Sequence, residues 1–148
     1  MLRQLFLGGL ISLLNFGIHA LVTGVIVELT RRTAKRTDHL HAFLRLTALL
    51  TVTMIGLMCA HVCEIGVWSV FYEMAGIKTQ LANSFEFAFE NYTALGYGDS
   101  VPPEGHRLYG PVTALNGLLL IGWSVAIIFE VMRMAEVQFA RLKDKDES

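Results

Sequence analysis

The chain has 148 residues, of which 53% are hydrophobic and 17% charged, with a net charge of -1 and a mean hydropathy of +0.49. That length allows one domain, more apolar and less charged than a soluble domain usually is. The charge balance excludes the basic face a nucleic-acid binder needs, so no nucleic-acid partner is expected.

The hydrophobicity falls into three long blocks, the pattern of a membrane protein rather than of one large soluble core. The first runs from about Leu5 to Leu29, between Arg3 and the Arg31–Arg32 pair. It holds the roughly 20 apolar residues a bilayer-crossing helix needs. A signal peptide cut after Ala20 is the rival reading, but the apolar run continues through Val27 without a small-x-small site. Asn15 and His19, four apart, share a face that can dock this helix onto the others.

A basic stretch follows, with Arg31, Arg32, Lys35, Arg36 and Arg45 against Asp38. Positive loops stay in the cytoplasm, which places the N-terminus outside and the C-terminus inside. The same stretch suits anionic lipid head groups. The second block runs from about Leu46 to Phe71. It contains "CAHVCE", in which His61 and Glu64 lie three apart on one face, flanked by Cys59 and Cys63. The cysteines form no disulfide framework. Two readings of the cluster stand side by side: a metal site, which needs about four ligands, and a histidine–glutamate hydrogen bond to another helix.

The segment from Glu73 to Gly110 is acidic, as an external segment would be. Within it, Asn83 or Ser84 reads as a helix cap with Glu86 in the first turn. Phe85, Phe87 and Phe89 make this helix too apolar for a surface loop, and about 10 residues, or 15 Å, is too short to span a membrane. It reads as a half-crossing helix followed by "LGYGD", a glycine-broken segment that climbs back out. Irregular backbone at membrane depth is tolerated where it is buried in protein or lines an aqueous path. The third block runs from about Tyr109 to Val131, its helix continuing into a short charged tail that frays at its end.

"TALGYGD", Thr93 to Asp99, set between a short helix and the third apolar helix, resembles the selectivity filter of the pore-loop potassium channels, whose pattern is T-x-G-[YF]-G closed by Asp. The resemblance covers about residues 43–135: outer helix, pore helix, filter and inner helix. Residues 1–42 would be an extra N-terminal transmembrane helix with a basic cytoplasmic loop, and 136–148 a cytoplasmic tail. It implies an all-α membrane protein, three transmembrane helices per chain with a re-entrant pore helix, assembled as a homotetramer in the cell membrane around one pore. It also implies passive potassium conduction, no cofactor beyond the permeant K+, and no enzyme activity. No activated nucleophile, phosphate loop or helical metal-protease pattern is present in the sequence.

By the same resemblance, Thr93, Ala94, Leu95, Gly96, Tyr97 and Gly98 form the filter, with K+ at the carbonyls of Ala94, Leu95, Gly96 and Tyr97. Gly96 and Gly98 permit the alternating dihedrals that turn successive carbonyls to one axis. Glu90 and Asp99 fall where the family pairs two carboxylates behind the filter; the alternative is that Glu90 only caps its helix. Ala94 departs from the family pattern, which has a coordinating threonine there. The innermost site then lacks a ring of four hydroxyls, and a weakly selective Na+/K+ channel is the alternative function. On the inner helix, Gly117 and Gly122 are candidate hinges or close-packing points. Leu118, Ile121, Val125 and Phe129 share a face that either lines the cavity, with Phe129 as a gate, or meets lipid. Glu130 either draws cations to the inner mouth or pairs with Arg133. Two other classes stand against the channel: a haem-bearing electron carrier held by His19 and His61, and a non-conducting accessory subunit.

Overall fold

The computed structural model describes residues 1–37, 40–77, 81–96 and 102–146, with the backbone course alone for 81–82 and 138–146. The described residues form four helices: α1 (Leu2–Arg36), α2 (Ala42–Met74), α3 (Leu81–Tyr92) and α4 (Tyr109–Asp146). The three long ones are apolar and long enough to cross a membrane. Only 17–33% of their apolar stretches is buried within one chain. Most of their apolar surface therefore faces lipid or other copies, as in helices that are hydrophobic around their whole circumference.

The helices outrun the apolar blocks. α1 reaches Arg36, so Arg31, Arg32, Lys35 and Arg36 are exposed on its last turns rather than in a loop. Arg32 pairs with Glu28 at 2.7 Å, an (i, i+4) pair. Arg45 departs from the expected lipid-facing set: it is buried at the start of α2. α4 carries Pro111 in its first turn, where the missing N–H costs nothing, and continues into the tail as far as Asp146. The tail is thus helical where a frayed end was expected.

The chain divides into two compact units. The first joins residues 1–20 to 60–122. Its core holds Ile65, Trp68, Tyr72, Phe87, Tyr92 and Tyr109, with Leu120 closing it from α4. Aromatic edges meet faces here: Tyr72–Phe87 at 5.0 Å and Phe71–Tyr109 at 4.9 Å between ring centroids. The second unit joins residues 21–59 to 123–148. It packs Ile26, Leu57 and Ile127 in one cluster and Ala34, Leu49, Val131 and Ala135 in another. Thr30 and Thr53 meet through their hydroxyls at 3.3 Å, while Thr53 donates back to the Leu49 carbonyl.

α2 ends in a Schellman motif, with Gly76 left-handed at φ 68°, Gly76 N donating to Glu73 O and Ile77 N to Tyr72 O. α3 begins at Leu81, earlier than the sequence suggested. Asn83 and Ser84 are inside the helix rather than capping it, because Ser84 Oγ donates to Glu73 Oε2 at 2.7 Å and so ties α3 to the end of α2.

Candidate functional site

α3 spans 12 residues, about 18 Å at the usual rise. Its three phenylalanines do not share a face, because residues two apart on a helix point in nearly opposite directions. Phe87 enters the core with Ala88 and Tyr92, while Phe85 and Phe89 are exposed. The helix is thus held along one side and apolar on the other.

Its C-terminal end repeats the Schellman motif. Ala94 N donates to Asn91 O and Leu95 N to Glu90 O, both at about 3 Å as in ordinary amide bonds. The left-handed residue of the motif is Ala94 at φ 55°, where the end of α2 uses a glycine. Gly96 is left-handed again at φ 55°. Left-handed residues thus alternate along Ala94–Leu95–Gly96, in a segment whose residues Thr93 to Gly96 are exposed. The Thr93 hydroxyl is turned back on the helix, donating to Phe89 O at 2.9 Å. Tyr97, Gly98 and Asp99 lie outside the described residues, and with them the far half of the expected filter and the expected Glu90–Asp99 pair. Glu90 is half-buried at the end of α3.

α4 presses on this end. A methyl group at Gly117 would collide with the Tyr92 carbonyl oxygen and lie 2.8 Å from its carbon. The close-packing reading of Gly117 is therefore realised, while Gly122 has open space around it. About two turns before Gly117 on α4, a Cβ at Gly110 would meet the Asn91 amide, whose Nδ2 donates to Phe87 O at 2.7 Å. Leu118, Ile121, Val125 and Phe129 are all exposed within the chain. Glu130 is paired with Arg133 by two bonds, at 2.7 and 2.9 Å.

Behind Tyr92 lies a polar network. Glu64 is fully buried and accepts from the Tyr92 hydroxyl at 2.5 Å. His19 Nδ1, also fully buried, stands 2.8 Å from the other carboxylate oxygen. His61 Nδ1 is 2.8 Å from Tyr92 Oη and 3.2 Å from Glu64 Oε2. Asn15 Nδ2 donates to the Glu64 carbonyl at 3.2 Å and to Asn116 Oδ1 at 3.1 Å, and Trp68 Nε1 donates to that same Asn116 oxygen at 2.9 Å. Asn15 and His19 thus dock α1 onto α2 and α4, as their spacing suggested. Cys59 and Cys63 are free thiols on the exposed side, away from this network. His19 and His61 both direct Nδ1 to one carboxylate, with ring centroids 5.5 Å apart. They are not arranged as axial ligands on opposite faces of a haem.

Tyr92, Trp68 and Asn116 were not singled out from sequence. The one available signal was Asn116, an amide beside a glycine in an otherwise apolar helix. The sequence profile of a family described as ion channel matches residues 46–134, which is 89 of the 148 residues. No curated protein and no solved structure matches the chain. The matched span takes in nearly all of α2, the whole of α3, the segment that follows and most of α4, so the chain, a multi-pass membrane protein by its three apolar helices, belongs to the ion channel family.

Proposed function

We propose that the protein is a potassium channel subunit, four copies of which surround one pore and conduct K+ passively across the cell membrane. The observation that carries the reading is the alternation of left-handed Ala94 and Gly96, which leads out of a buried helix into the sequence "LGYGD". Such an alternation turns successive carbonyls to one side, and four copies would ring an ion with them. In this reading K+ sits at the carbonyls of Ala94, Leu95, Gly96 and Tyr97, and α3 aims its carbonyl end at the central cavity. The exposure of Thr93 to Gly96 supports a filter that other copies complete. The exposed Arg31, Arg32, Lys35 and Arg36 support a cytoplasmic end for α1, with the N-terminus outside.

Ala94 favours one second reading, a cation channel that separates K+ from Na+ weakly, since no hydroxyl ring completes the innermost site. Flux through purified protein in liposomes, driven by K+ or Na+ gradients with barium as blocker, tests both. K+ flux well above Na+ flux is the expected result. Equal fluxes establish the weakly selective channel, and absence of any flux in a tetrameric preparation refutes conduction and leaves the accessory subunit.

A further inference from the structure

Nothing in conduction itself requires two histidines, a carboxylate and a phenol to meet behind the filter stem. They come from three helices: His19 from α1, His61 and Glu64 from α2, Tyr92 from α3. The ligand atoms of the two histidines and the glutamate all lie within 4.8 Å of one another. His19 and Glu64 are fully buried, and His61 is partly exposed, so its side is the route in.

Charge decides what the cluster lacks. With both imidazoles and the phenol neutral, an ionised Glu64 leaves one negative charge buried in an apolar helix. The described ion pairs of Glu64 are to the two histidines alone. An uncompensated buried charge is costly, above all inside a membrane. A divalent cation bound by these atoms, with the Tyr92 phenol releasing its proton to solvent as it becomes a ligand, leaves the site neutral. Two imidazole nitrogens and a carboxylate are a donor set that borderline transition ions prefer over calcium or magnesium.

We propose that His19 Nδ1, His61 Nδ1 and the Glu64 carboxylate bind a divalent transition-metal ion of the zinc type, with Tyr92 Oη in the fourth position. Each imidazole offers the Nδ1 lone pair and carries its single proton on Nε2. Around zinc, with bonds of about 2.0–2.1 Å, tetrahedral ligand atoms stand about 3.3 Å apart. Four of the six pairs among these groups already stand 2.5–3.2 Å apart, and the two histidines and the carboxylate lie within 4.8 Å of one another, so side-chain rotations would bring them around one ion. The ion would clamp α1 and α2 to Tyr92, two residues before Ala94. Any effect of the ion on flux rests on the channel reading, but the site itself does not.

The test is a zinc titration by calorimetry on full-length protein stripped with chelator, repeated with cobalt, whose visible absorption reports tetrahedral coordination. One saturable ion per chain is expected. Removing a ligand, in His19→Gln, His61→Gln or Glu64→Gln, should weaken binding by about 100-fold or more, since even outer-shell changes cost about 10–100-fold. Tyr92→Phe should weaken it about tenfold and alter the cobalt spectrum. His41→Ala and His106→Ala, outside the cluster, should leave it unchanged. Each variant is compared with wild type by helical dichroism and elution volume. If the variants of buried His19 or Glu64 fail to fold, partly exposed His61→Gln decides. No saturable binding, or binding that His61→Gln leaves intact, overturns the proposal, including the case in which flux responds to pH but not to zinc. Metal binding without ion flux would overturn the channel reading and leave the site standing; flux without metal binding would do the reverse.

Discussion

At the residue scale, Ala94 is the position where local strain meets the proposed ion path. A left-handed conformation costs a non-glycine residue about 1–2 kcal/mol, and a β-branched side chain suffers more. The end of α2 spares that cost with Gly76; the end of α3 does not. Ala94→Gly should therefore stabilise the protein by up to about 1 kcal/mol, read as a higher unfolding temperature in detergent. Ala94→Thr should lower that temperature while adding a ring of hydroxyls to the innermost site. We expect conductance to change and inner barium block to strengthen; a threonine variant with wild-type block would remove Ala94 from the ion path. Gly117 and Gly122 separate packing from bending. Gly117→Ala drives a methyl group into the Tyr92 carbonyl and should cost about 1–3 kcal/mol, with flux falling alongside thermal stability. Gly122→Ala meets open space, so stability should hold. A loss of flux in that variant alone would identify Gly122 as the bending point.

At the scale of elements, α3 is held from three sides. Ser84 ties its start to Glu73 of α2, Phe87 and Tyr92 fill the core, and Tyr92 meets Glu64 beneath the filter stem. α1, which lies outside the matched family span, joins this assembly through Asn15 and His19 as well as through Leu7, Ile11 and Phe16 packed against the core. Polar bonds between membrane helices contribute about 0.6–2 kcal/mol each. Asn15→Leu, which deletes two donors, should therefore loosen α1 by about 1–3 kcal/mol. Faster proteolysis of α1 in detergent, with the elution volume unchanged, is the expected outcome; an unchanged digestion pattern would assign its docking to apolar packing. The spacing of Asn15 and His19 made their common face legible in the sequence. Asn116, which accepts from Asn15, and Trp68 and Tyr92, which complete the network, were not, because they come from helices far along the chain.

At the scale of the whole molecule, the exposed apolar surface suits a membrane, and in the proposed channel other copies would cover part of it. Leu115, Leu118, Ile121, Val125 and Phe129 are exposed on α4, and the filter stem is exposed at Thr93 to Gly96. A tetramer with these faces near its axis would cover them, and crosslinking in native membranes should give a ladder ending at four chains. The exposed Glu130–Arg133 pair belongs to this scale because its effect is a field rather than a bond. Arg133→Gln leaves the Glu130 charge uncompensated. It should raise cation conductance at low ionic strength and do nothing at high salt, where the Debye length shrinks to a few ångströms. A salt-independent change would point to packing instead.

The sequence by itself determined the class of the protein. Three apolar blocks of bilayer length, a basic stretch after the first, and a short aromatic helix running into "TALGYGD" are local patterns, readable because hydropathy, charge and glycine act at the residues that carry them. Only the tertiary structure decided which faces meet. Helices apolar on every side carry no stripe to mark a buried face, so composition could not say that Phe87 turns inward while Phe85 and Phe89 do not, that Ser84 holds α2 rather than capping α3, or that Arg45 is buried. Nor could it add Tyr92 to the meeting of His19 with His61 and Glu64 that the spacings allowed, since that convergence depends on how a third helix packs and not on any spacing along one of them.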